Sequence, residues 1–182
     1  MSRAASTASL RNRLRRFRRS QRGSTAVEFA LVAVPFLALI VALIQTFLVF
    51  FAQELLETVV QQSSRLILTG QVQSQQMTQS AFQQAVCNQV VILFNCNGLM
   101  VDVQVANTWS SANTSAPTLT FNAQGQVANA WQFNPGTTGD IVVVRVMYQW
   151  PVFLGPLGFN LSNLSNGNRL IMASAAFQNE PS

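Results

Sequence analysis

The chain is 182 residues long, nearly half apolar and sparsely charged, with two cysteines and neither histidine nor lysine. That length leaves room for one modest domain plus an anchor. Without histidine, two cysteines cannot fill a zinc site, and no nucleophile motif or phosphate-binding glycine loop appears, so neither a cofactor, a metal nor an enzymatic role is expected.

Charge divides the chain in two. Eight of the eleven arginines fall in the first 23 residues: Arg3 and the seven from Arg11 to Arg22. Only Arg65, Arg145 and Arg169 follow, against six acids, so the leader carries +8 and the remainder −3. A basic run of this kind can be a nucleic-acid arm, a transit peptide or the cytoplasmic flank of a membrane helix. It lacks interleaved aromatics apart from Phe17, and an apolar run follows at once. The third reading is therefore preferred, with no nucleic-acid partner.

From Phe29 to Ala52 no residue is charged. At helical rise those 24 positions span about 36 Å, enough to cross a lipid bilayer with some tilt. No small-residue cleavage site precedes the polar Gln53 and Glu54, so the helix is expected to be retained rather than removed as a secretory signal. The arginines place the N-terminus in the cytoplasm and the residues beyond about 52 outside. Leu55, Leu56, Val59, Val60, Leu66 and Ile67 carry the helical spacing on to Gly70, now amphipathic and in need of something to pack on. Two residues break the apolar pattern. Pro35 removes a backbone donor and predicts a kink. Glu28 is costly at the edge of an apolar span unless it is solvated at headgroup depth or paired.

After Gly70 a glutamine-rich stretch leads to a second predicted helix from Ala81 to Leu93, with Phe82, Val86 and Val90 on one face. Alternating valines then predict a strand over 101–105, a second over 144–150, a third over 170–177 and a short fourth over 119–121. The expected fold class is α+β, an antiparallel sheet with one face on the helices. Cys87 and Cys96 fall on the outer side, where disulfides persist. The compartment favours a bridge between them; the alternative is two buried thiols. The sparse acids Asp102 and Asp140 have no partner visible in the sequence.

Residues 22–36, RGSTAVEFALVAVPF, resemble the processing region of type IV prepilins, and within that group the chain resembles the TadE-like pseudopilins of the tight-adherence (Flp) pilus system. Segments 63–73, 85–103, 147–170 and 173–181 are also similar to that family, with 107–140 least so. The resemblance implies a type IV pilin-like fold and a chain divided into a basic leader (1–23), a transmembrane helix (24–52), a periplasmic continuation (53–70) and a periplasmic domain (71–182). It implies cleavage by a prepilin peptidase between Gly23 and Ser24, after which the new ammonium on Ser24 lies one helical turn from Glu28, in the same subunit or a neighbour. Glu28 would thereby help dock the subunit. The implied partners are the peptidase, other pilins or pseudopilins, the inner-membrane assembly platform and the lipid bilayer; the implied location is the bacterial inner membrane. One departure is Gln45, which stands where many members carry a second acid. The competing expectation is a signal-anchored periplasmic binding domain that is never polymerised.

Overall fold

A computed structural model describes residues 24–90, 93–153 and 158–181. The elements in chain order are a long helix α1 (Ser24–Leu68), a one-turn helix α2 (Gln71–Ser74), a helix α3 (Gln79–Asn88), and three strands, β1 (Leu99–Ala106), β2 (Ile141–Trp150) and β3 (Arg169–Gln178). Short 3-10 turns, Cys96–Gly98 and Trp109–Ser111, precede and follow β1. The α+β class expected from the alternation is what the structure contains.

The chain divides into two units, one running to Ile44 together with 155–159, the other comprising 45–154 and 160–182. In the first, the described part of α1 is a helix with apolar side chains on nearly every side, among them Phe29, Leu31, Phe36 and Leu43, all exposed. The helix is long and apolar enough to cross a membrane.

In the second unit the upper part of α1 becomes one-sided. Ala52, Leu56, Val59, Val60 and Ile67 are buried, while Glu54, Glu57 and Gln61 are exposed. The buried stripe packs on one face of the sheet, built from Leu99, Val101 and Val103 of β1, Val142, Val144 and Val146 of β2, and Ile171 and Ala173 of β3. The period of two along each strand delivers these residues to one face, and the period of 3.6 along α1 delivers its stripe to meet them. The helix ends where the sequence predicts: Gly70 adopts the left-handed conformation at φ 71°, and its N–H donates to the Ile67 carbonyl at 3.0 Å.

The sheet order is β1-β2-β3, both pairs antiparallel. Hydrogen bonds fix its orientation on the helix. Gln53 Nε2 donates to the Met172 carbonyl at 2.9 Å, and the Glu180 N–H donates to the Leu68 carbonyl at 3.1 Å. Strand β3 therefore climbs beside α1 in the same direction.

Two expectations need correction. The second helix is shorter and earlier than 81–93: Thr78 caps it by accepting from the Ala81 N–H at 3.2 Å, and it stops at Asn88. Gln89 and the β-branched Val90 close it in a turn, their N–H groups donating to the Val86 and Cys87 carbonyls at 3.2 and 2.9 Å, and 91–92 lie outside the described residues. The fourth strand at 119–121 is instead a small hairpin around Gly125, reduced to one isolated bridge between Phe121 and Val127. Its ladder is too short to join the sheet. The far face of the sheet also holds buried side chains, Met100, Val143 and Met147, and the 107–134 connection is bonded to that face: it donates the Gln132 N–H to Asp102 and accepts from Ser174 at the Thr114 carbonyl. The same connection closes the outer edge of β1, where Val103 bonds Gln132 and Asn134 in parallel register.

Candidate functional site

The site implied by the sequence begins at the lower end of α1. Gly23 and the arginine-rich leader lie outside the described residues. Ser24 is the first described residue and is already helical, and Glu28, four positions on, is exposed. Residues four apart on a helix are neighbours one turn apart, so the Glu28 carboxylate projects from the turn directly above the Ser24 backbone. Pro35 lies inside α1 and supplies no N–H to the Leu31 carbonyl.

Gln45 opens the second unit. Its side chain is half-buried, and its carbonyl Oε1 is buried with no hydrogen-bond partner. It lines a cavity of 90 Å³ together with Leu48, Val49, the end of β2 and the start of the loop after it, including Trp150 and Phe153.

The cysteines are joined as a disulfide, with Cα atoms 5.5 Å apart, an ordinary spacing for a bridge. It ties the last turn of α3 to the 3-10 turn that starts β1. Cys87 is buried against the core while Cys96 is half-buried. The bridge therefore fixes how α3 enters the sheet.

One constellation had no signal beyond the polar positions of the strand alternation. Asp102 and Arg145 are register partners on β1 and β2, and both are buried. Arg145 donates through Nε at 3.0 Å and through Nη2 to the same Asp102 oxygen. The other oxygen, Oδ1, accepts from the Gln132 N–H at 2.9 Å, and Gln104 Nε2 lies within 3.1 Å of both. Arg145 Nη1 also reaches the Ser115 carbonyl at 3.5 Å. The pair thus pins both ends of the covering connection to the sheet, which is a structural use. A second acid, Asp140, accepts from the Thr137 N–H at 2.7 Å and from its hydroxyl at 3.0 Å. These bonds hold its carboxyl below the ordinary value.

Together these features define a class: an α+β protein whose sheet is built onto the upper part of one long, apolar, N-terminal helix. Residues 23–65 match the family model described as TadE-like protein, consistent with a TadE-like protein of the Tad pilus system. The match covers the junction after the arginines, Glu28, Pro35 and α1 as far as Arg65. No curated protein and no solved structure matches the chain.

Proposed function

We propose that the chain is a minor pilin or pseudopilin, cut by a prepilin peptidase between Gly23 and Ser24, that takes part in assembling a Tad (Flp) pilus. The observation that carries this reading is the start of α1. Ser24 and Glu28 stand one turn apart on an exposed apolar helix, and that stretch lies within the TadE-like match.

The basic leader (1–23) stays in the cytoplasm and α1 crosses the inner membrane over 24–52. The continuation over 53–70 and the sheet domain over 71–182 stand in the periplasm, where the Cys87–Cys96 bridge persists. Cleavage exposes a new ammonium at Ser24. In a medium of low dielectric, the Glu28 carboxylate of the same or a neighbouring subunit needs such a partner. Release of the leader thereby licenses docking, and the work is insertion and assembly rather than catalysis. The partners are the peptidase, sibling pilins or pseudopilins, and the assembly platform of the inner membrane.

The test is the intact mass of the protein extracted from membranes. The mature chain is expected to begin at Ser24, and Gly23→Arg is expected to leave the leader attached. An uncut leader on the working protein overturns the proposal in favour of a signal-anchored periplasmic binding domain that is not polymerised.

A further inference from the structure

We infer that the end of β2 and the start of the loop after it, Trp150 to Phe153, form a second membrane contact, which sets Phe153 at the outer boundary between acyl chains and headgroups. This rests on the proposed reading that α1 crosses the bilayer.

Two independent measures give the level of that loop. The first is contact: Trp150, Pro151 and Phe153 share a cavity wall with Gln45, Leu48 and Val49 of α1. The second is register. Gln53 is bonded to Met172, and β3 climbs beside the helix. Arg169, the partner of Trp150 across β2 and β3, starts the strand three residues before Met172. Three residues of strand descend about 10 Å, equal to about six or seven residues of helix. Counting down from Gln53, the Trp150 end of the sheet reaches the level of residues 46–47. The two measures agree.

That level lies inside the uncharged run, which ends at Ala52. Gln45 to Val49 stand about 4–11 Å below Ala52 along the helix axis. Where a run of about 36 Å crosses a hydrocarbon core of about 30 Å, this is the outer margin of the core and the headgroup layer above it. A domain seated with its loop at that level cannot stand clear of the bilayer.

The loop has the chemistry for the place. Trp150 to Phe153 carry no charge, and Phe153 is 73% exposed. Phe47, Phe50 and Phe51 on the adjacent turns of α1 are exposed as well, so the loop extends an apolar surface that already faces lipid. On α1 no charged residue lies between Glu28 and Glu54. Tryptophan at a membrane interface anchors a protein in depth and rotation, and phenylalanine belongs to the apolar faces that sink to the boundary between headgroups and acyl chains.

The loop is also held in place. Trp150 packs edge-on to Phe94 at 5.9 Å and to Tyr148 at 6.5 Å between ring centres. Its return is tied down by Arg169 Nη1 donating to the Leu161 carbonyl at 3.0 Å, and by the Leu170 N–H donating to Asn163 Oδ1 at 2.7 Å. A rigid second contact restrains rotation of the sheet about the helix axis, which a single helix cannot do.

The test uses the unmodified full chain in phosphatidylcholine–phosphatidylglycerol vesicles doped with a phosphatidylcholine that carries a photoreactive diazirine near the acyl carbonyl. After illumination, cleavage at arginine separates the helix peptide ending at Arg65, the 66–145 peptide, and the 146–169 peptide that holds the loop. Expected is lipid label on the helix peptide and, several-fold above the 66–145 peptide, on 146–169, with fragmentation placing it at Trp150 to Phe153. A labelled helix with 146–169 no higher than 66–145, or label elsewhere in 146–169, overturns the inference and leaves the anchor standing. If the helix peptide is unlabelled, the membrane-spanning reading fails and the inference falls with it.

Discussion

Asp102 and Arg145, 43 positions apart, face each other across β1 and β2 and form a buried ion pair whose second carboxylate oxygen also holds the Gln132 backbone. The pair lies under the covering connection and pins it to the sheet. Removing one partner strands the other charge without water, whereas removing both does not. Asp102→Ala is therefore expected to cost about 3–5 kcal/mol. The double change Asp102→Leu with Arg145→Met is expected to recover most of that loss. Chemical unfolding of the full chain in detergent micelles measures both; equal losses in the single and double variants would show that the pair carries no special role.

The Cys87–Cys96 bridge closes a short loop, the two cysteines standing nine positions apart. A loop of that length restrains the unfolded chain by about 2–3 kcal/mol. Replacing both cysteines by alanine is expected to lower stability by that amount, plus a small cavity cost at buried Cys87. The check is the denaturant midpoint of the variant against the oxidised parent. Thiol labelling of the native parent, before and after reduction, confirms the starting state.

Asp140 gives a pH dependence with a definite sign. Its carboxyl is held below the ordinary value of 3.8 by the Thr137 N–H and then by the Thr137 hydroxyl. A depressed value means the folded state prefers the ionised acid. Its contribution is complete above the ordinary value and is lost as pH falls below 3.8 through the folded value. Asp140→Asn should therefore lower stability at neutral pH, and the gap to the parent should close as pH falls below 3.8, which flattens part of the acid limb. An unchanged acid limb would place the dependence elsewhere.

Glu28→Ala separates cleavage from assembly. The mature mass should still begin at Ser24, while piliated cells become rare. Glu28→Asp, which keeps the charge on a shorter arm, should restore some assembly. Normal piliation by the alanine variant excludes a pairing role for Glu28.

Much of the fold was legible because its signals are local. The uncharged run, the change to a one-sided stripe after residue 52 and the stop at Gly70 all depend on neighbours within a turn or two. The valine alternation placed three strands within one to three residues of their bounds. The second helix was overstated because apolar spacing continues past the turn at Gln89 and Val90 that closes it, and the fourth strand because three alternating residues find no ladder to join. Glu28 and Pro35 could be singled out on the same local grounds, as breaks in an apolar helix, whereas Gly23 and Ser24 were marked only by the resemblance to the prepilin processing region.

By itself the sequence determined an apolar helix behind a block of arginines, and an outer part built of a helix and alternating strands. Composition and period specify which face of an element seeks burial, but not what buries it. Only the tertiary structure decided that β3 climbs beside α1 from Gln53 to Leu68, that Asp102 meets Arg145, and that Trp150 comes down beside Gln45. Those relationships join residues far apart in the chain, and the free energy that selects them comes from packing and pairing in three dimensions, which no local pattern records.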